Sequence, residues 1–206
     1  MMKNILKITC AVIAFSMTTH YYSQATFGLR AGLNLANMTG KALNGLDTKS
    51  LTTFSVGAVV DYELSESLSI ESGLFLSNKG YKVEFSGNTY STNINYLEIP
   101  VNVSYKLDVG DNKLNLFAGP YIGLAVGGKT KSDFAGIDDA DIEFGTDDTD
   151  MLKSSDFGLN VGAGFQIEKI SIRAQYGLGL SNLDPSGNSD MEIKNAVIGI
   201  SLGYMF

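Results

Sequence analysis

The stretch AVIGISLGYMF, residues 196–206, decides the fold. Ala196, Ile198, Ile200, Leu202, Tyr204 and Phe206 fall on one side of an extended chain, and Val197, Gly199, Ser201, Gly203 and Met205 on the other. Side chains of a strand alternate between its faces, so this is the period of a strand with one apolar side. The same pattern recurs upstream. Leu97, Ile99, Val101, Val103 and Tyr105 oppose Glu98, Pro100, Asn102, Ser104 and Lys106; Phe157, Leu159, Val161, Ala163, Phe165 and Ile167 oppose Gly158, Asn160, Gly162, Gly164 and Gln166. Similar segments start near Phe27, Phe54, Leu68, Leu114 and Ile170. They make eight alternating segments, most of them about 10 to 14 residues long, enough for a tilted strand to cross a bilayer.

Alternation alone does not say whether the apolar side meets lipid or a buried core, because a β-sandwich or a lipocalin-like barrel has the same period. Three features point to lipid. Connections near Ser65–Ser67, Asp108–Asn112 and Glu168–Lys169 are short, and they alternate with longer ones near Gly40–Leu51, Val83–Thr92, Lys129–Ser155 and Asn182–Lys194. Tight periplasmic turns and longer outer loops are the membrane-barrel arrangement, and an even strand count puts both termini on the periplasmic side. Aromatic residues of the apolar side gather at the segment ends: Phe27, Tyr62, Tyr105, Phe165, Tyr204 and Phe206 at one rim, Phe54 and Phe157 at the other. Such rings resemble interfacial girdles. The opposite side is rich in Gly, Ser, Asn and charge, which would weaken a solvated sheet but leaves room inside a narrow lumen. The fold expected is all-β: an eight-stranded antiparallel up-and-down transmembrane β-barrel.

Residues 1–25 read as a leader to be removed, and residues 26–206 as the barrel. Lys3 and Lys7 precede an apolar run from Ile8 to Met17, and Ser23 and Ala25 stand where a signal peptidase reads small residues. The run is too short to span a bilayer. Cys10, inside the run, is badly placed for a lipoprotein. Cys10 and His20 are the only cysteine and histidine, so cleavage leaves neither. The remaining 206 − 25 = 181 residues then have no disulfide, no zinc site of Cys/His type and no Ser-His or Cys-His nucleophile pair. No enzyme is expected. Charge becomes 13 Lys and Arg against 22 Asp and Glu, which makes nucleic acid a poor partner. No apolar run reaches 18 residues, so a membrane could be crossed only by strands.

Six charges fall on the polar side. Arg30, Asp61, Glu71 and Arg173 sit at similar distances from the periplasmic turns; Lys79 and Glu98 lie further out. Unpaired charge in a narrow lumen is costly, so two arginines and two carboxylates at one depth suggest a closed ion-pair ring, a plug in preference to a catalytic cluster. Between Lys129 and Ser155 lie Asp133, Asp138, Asp139, Asp141, Glu143, Asp147, Asp148 and Asp150. Their spacing lacks the central glycine and closing glutamate of an EF-hand, and a solvated surface loop is the expected reading, with no cofactor.

Several segments in order resemble the porin-like (PorT-like) outer-membrane β-barrel family of Gram-negative bacteria: FGLRAGLNLANM from Phe27, YLEIPVNVSYK from Tyr96, FAGPYIGLAVG from Phe117, DFGLNVGAGFQI from Asp156 and the closing GISLGYMF. The resemblance implies a barrel of the OmpA/OmpX type, the outer membrane and a local bulge at each of Pro100 and Pro120, which fall inside strands. It also implies that Ile200, Leu202, Tyr204 and the terminal Phe206 are the signal read by the barrel-assembly machinery. It does not supply a task, since fold alone does not specify one. The expected role is structural or surface-interacting through the outer loops, as a monomer in outer-membrane lipid. A narrow channel for small solutes and a soluble exported ligand-binding barrel are the alternatives.

Overall fold

The computed structural model describes residues 24–134, 136, 138–145, 150–186, 188 and 190–206. The leader reading, with Lys3, Lys7, Cys10, His20 and Ser23, therefore lies outside the described residues apart from Gln24 and Ala25. Ten strands follow in order: β1 Ala25–Thr39, β2 Thr48–Lys49, β3 Leu51–Ser65, β4 Leu68–Phe85, β5 Asn88–Val109, β6 Asn112–Ser132, β7 Ala140–Asp141, β8 Ser155–Ile167, β9 Ile170–Gly179 and β10 Lys194–Met205. Eight of them form a ring. Each pairs antiparallel with the next, β4 pairs with both β3 and β5, and β10 returns to β1 with Gly28 opposite Met205 and Thr39 opposite Lys194. Closure leaves no edge strand in the wall, the condition for a sheet to sit in lipid. The two-residue strands β2 and β7 attach to β4 and β6 beyond the ring.

Three connections at one end are two residues long: Glu66–Ser67, Gly110–Asp111 and Glu168–Lys169. Both ends of the described chain lie there too, since Ala25 is opposite Tyr62 and Tyr204 is opposite Ile170. At the other end, the chain between β1 and β3, β6 and β8, and β9 and β10 is longer. One expectation fails there. The connection near Val83–Thr92 is no loop: β4 and β5 continue to Phe85 and from Asn88, joined by Ser86 and Gly87 with φ of 50° and 84°. Positive φ at both central residues is the turn that matches strand twist. Beyond the lipid neither face needs to be apolar, so the alternation fades from the sequence while the hydrogen-bond ladder continues. With 18, 22 and 21 residues, β4, β5 and β6 outrun the other strands and stand above the barrel as an extension.

The bulges expected at Pro100 and Pro120 also do not form. Between β4 and β5 the pairing lapses from Ser72–Val101 to Phe75–Glu98, then resumes in the same register. The Ser72 hydroxyl donates to the Pro100 carbonyl at 2.8 Å across this gap. Between β5 and β6 the lapse lies between Pro100–Tyr121 and Val103–Ala118, again without a shift. A proline removes one donor, and a short lapse accommodates that without an extra residue. The bulge on this pair lies higher, where Asn95 faces Gly127 and Tyr96 faces Ala125, leaving Val126 as the extra residue.

The outside of the ring is apolar. Leu33 on β1, Val56 on β3, Leu74 on β4, Leu97 to Tyr105 at alternate positions on β5, Ile122 on β6, Val161 on β8, Ile172 on β9 and Ile200 on β10 are all exposed. So continuous an exposed apolar belt is untenable in water and fits hydrocarbon. The aromatic residues assigned to the girdles, including Tyr62, Tyr105, Phe54, Phe157, Tyr204 and Phe206, are exposed at its margins.

Inside, glycines seat the large side chains. A Cβ built at Gly162 would lie 2.4 Å from the Phe117 ring, one at Gly158 2.5 Å from Tyr121, and one at Gly57 2.6 Å from Phe75. Each ring occupies the space that a side chain on its cross-strand partner would fill. Gly162→Leu should therefore lower the stability of the refolded barrel by about 1–3 kcal/mol through overpacking. At Gly127 a Cβ would have nothing within 4 Å, so Gly127→Leu should cost far less. Urea titration of both variants in lipid vesicles measures the difference.

Candidate functional site

The polar side of the strands becomes a filled lumen with three charged groups along its axis. Nearest the turn end, Lys106 of β5 lies 2.7 Å from Asp61 and 3.0 Å from Glu63 of β3, and the Ser69 hydroxyl donates to Asp61 at 3.0 Å. Beside this group, Arg30 of β1 holds Glu71 of β4 with two hydrogen bonds, at 2.9 and 2.7 Å. Arg173 of β9 reaches the same carboxylate from across the barrel. Arg173 also lies over the Phe117 ring, 3.6 Å from its centroid, and Arg30 lies 6.0 Å from that of Phe75. Two guanidiniums can share one carboxylate because the planar fork leaves donors over and aromatic faces take part of the charge. The two groups together hold Arg30, Arg173 and Lys106 against Glu71, Asp61 and Glu63, and so balance.

The third group lies toward the loop end. Lys79 of β4 is 2.5 Å from Glu98 of β5 and 3.1 Å from Asp156 of β8. Asp156, fully buried, also accepts from Tyr121 at 3.1 Å and from Asn195 at 2.9 Å. The Lys79 ammonium is 4.0 Å from the Tyr121 ring centroid and 5.3 Å from that of Tyr96.

Above it the barrel mouth is closed by an apolar cap. Met38 of β1 and Ile94 and Tyr96 of β5 pack with Leu43, Ile142, Leu152 and Leu183 from the three long connections. The cap is tied down by backbone bonds from Lys153 to the Leu183 carbonyl and from Leu183 to that of Ile193, both 2.8 Å. Below it the lumen holds two small cavities, of about 70 and 30 Å³. Arg30 lines both.

The structure thus brings Arg30, Glu71 and Arg173 together, and Lys79 with Glu98. The four-member ring is not what forms: Asp61 turns to Lys106. Neighbouring strands are staggered, so Asp61 lies directly opposite Glu71, and a cation must come from elsewhere to separate the two carboxylates. Lys106 and Asp156 were the residues not singled out. Both carry a signal, because Lys106 continues the alternation Glu98–Pro100–Asn102–Ser104 and Asp156 precedes the lipid-facing Phe157. Among the described residues, no group of three or more Asp, Glu, His or Cys could hold a metal ion. Asp147 and Asp148 of the acidic stretch lie outside the described residues. On the extension, Glu84 receives Lys49 at 2.6 Å and Lys82 at 2.8 Å, and these hydrogen bonds pull its carboxyl down to about 2.

A closed ring with a lipid-compatible outside and a charge-filled inside defines a small transmembrane β-barrel. The chain belongs to the outer membrane protein β-barrel domain family, whose model matches residues 17–184, and its location is the outer membrane. Solved structures to which the chain is similar include Ail, the attachment invasion locus protein of Yersinia pestis (16% identity, 89% of this chain and 99% of that one, TM-score 0.49). Neisserial surface protein A is also similar (14%, 88% and 99%, TM-score 0.48), as is outer membrane protein W of E. coli (14%, 90% and 100%, TM-score 0.45). No curated protein matches the sequence. The family match sets a soluble exported barrel aside.

Removing Glu71 would leave two guanidiniums facing each other in the lumen. Glu71→Ala should lower stability by about 3–5 kcal/mol, as for other broken buried pairs. Arg30→Ala should cost less, because Arg173 still holds the carboxylate. The check is urea titration followed by the shift in gel mobility between boiled and unboiled samples; equal losses for the two variants would contradict the shared-carboxylate geometry.

Proposed function

We propose that this protein is a plugged, non-enzymatic barrel whose work lies at its loop end, as a structural or surface-interaction element of the outer membrane. The observation that carries the reading is the filled lumen. Charges at two levels pair across it, aromatic rings on glycine seats fill the space between, and three long connections cap the mouth. Eight strands leave an interior that side chains can fill, and here every buried cation among them is paired with a carboxylate. A narrow solute channel would need both the ion groups and the cap to part. What projects instead is the β4–β5–β6 extension with the connections around it.

In planar bilayers the purified protein should show no sustained conductance steps. A stable ohmic pore would overturn the plugged reading and leave the channel.

Two further parts of the reading are support for biogenesis and orientation. The end with the three two-residue turns carries both termini and faces the periplasm, as in barrels with short inner turns. The strand β10 presents Ile200, Leu202 and Tyr204 to lipid, followed by Phe206, whose ring meets that of Tyr204 edge-on at 5.8 Å. This apolar strand is the partner for the barrel-assembly machinery during insertion, and the finished protein is a monomer. On intact cells, protease added outside should cut a cleavable tag placed at Ser86–Gly87 and spare one placed after Phe206. The reverse pattern would invert the orientation.

A further inference from the structure

The extension leaves a groove in the wall just above the apolar belt, and its chemistry suits one kind of occupant. Up to Leu124, strand β6 pairs with β8, ending at Ser155; from Lys129 it pairs with β7 at Asp141. Between these points no strand pairs with Val126 or Gly127 on that side. The bulge at Val126 turns the strand there, and Gly127 contributes no side chain. The result is an open groove of about 620 Å³ bounded by Val126 and Gly127 on one side and Ile142 and Phe144 on the other.

Its two margins differ. Below lie Leu124 and Val126, both exposed and continuous with the lipid-facing belt. Above lie Lys129 and Lys131, which point to the same side of β6 as Leu124 once the bulge is counted. Lys129 has only a long contact of 3.6 Å to Asp141, and both groups are well exposed. No ion pair is formed by Lys131 among the described residues. Across Ser91, Lys131 shares its cross-strand row with Lys82 and Lys49, both of which pair with Glu84. A chain with an acidic excess therefore carries a local basic row where lipid headgroups begin. Exposed ion pairs of this kind are weak and easily exchanged for a ligand, whereas an anion held at the membrane surface is worth more.

We infer that this groove holds the phosphate-bearing headgroup of one outer-leaflet lipid, with its first acyl carbons along Val126 and Leu124 and its phosphate at Lys129 and Lys131. Charge complementarity and continuity with the lipid belt select a lipid over a soluble anion. A soluble anion would gain nothing from the apolar lower margin. The inference rests on the reading that the loop end faces the outer leaflet.

The test uses the full barrel in detergent with a diphosphorylated acylated disaccharide, the same lipid without phosphates, and inorganic phosphate. Native mass spectrometry counts the lipid retained. Wild type should retain one phosphorylated lipid per barrel and little of the dephosphorylated one. The double variant Lys129→Gln/Lys131→Gln should lower retention by about tenfold or more, with unchanged gel heat-modifiability. Gly127→Leu fills the groove without altering charge and should lower retention as well. Equal retention of the dephosphorylated lipid, or retention unaffected in both variants, would overturn the proposal. Competition by inorganic phosphate at millimolar concentration would also overturn it in favour of a free-anion site. The assay does not depend on which side of a membrane the groove faces, so an inverted tag pattern on cells would count against the orientation alone.

Discussion

Everything in this structure depends on the closure of one hydrogen-bond ladder. Hydrocarbon offers no partner to a backbone N–H or carbonyl, so a sheet can enter it only when its first and last strands meet. Here β10 returns to β1 along twelve residue pairs. Around Pro100 and Pro120 donors are missing from the wall. There the ladder lapses briefly and keeps its register. A shift at that point would have turned Leu97 inward and Glu98 outward, so keeping register preserves the two faces of β5.

Closure at eight strands then dictates the inside. The lumen is too narrow to be a solvated pore and must be filled by the side chains that the pleat sends inward. Glycines give up their volume so that Phe75, Phe117 and Tyr121 can lie over their cross-strand partners on the neighbouring strand. Those rings in turn receive Arg30, Arg173 and Lys79. Arg30, Arg173 and Lys79 therefore each have a carboxylate and an aromatic face, while Lys106 is held by the carboxylates of Asp61 and Glu63 alone. Such an arrangement specifies which strands face one another across the barrel, a requirement that an apolar filling would meet less uniquely.

The loop end follows different rules because it is out of the lipid. The ladder of β4, β5 and β6 continues past the belt, and the three long connections fold over the mouth instead of standing free. Their apolar residues Leu43, Ile142, Leu152 and Leu183 find a core only because Met38, Ile94 and Tyr96 turn inward at the rim. The mouth is thus sealed by the same connections that present the surface, and Tyr96 joins this cap to the charged interior, its ring centroid 5.3 Å from the Lys79 ammonium.

Residue order carries the class of fold, the eight strands of the ring, the three tight turns and the side on which each of Arg30, Asp61, Glu71, Lys79, Glu98 and Arg173 lies. The reason is that a two-residue period and a lipid belt leave a direct mark on residue order. Only the tertiary structure decided the partners. Asp61 goes to Lys106 and Glu98 shares Lys79 with Asp156 because strand stagger sets the heights at which inward side chains meet, and stagger has no period to be read along one strand. The long β4–β5 hairpin was likewise invisible, since KVEFSGNTY loses its apolar alternation where the lipid ends. The capped mouth and the groove at Val126 belong to the same category: they arise from contacts between residues tens of positions apart, which closure of the barrel brings to one rim.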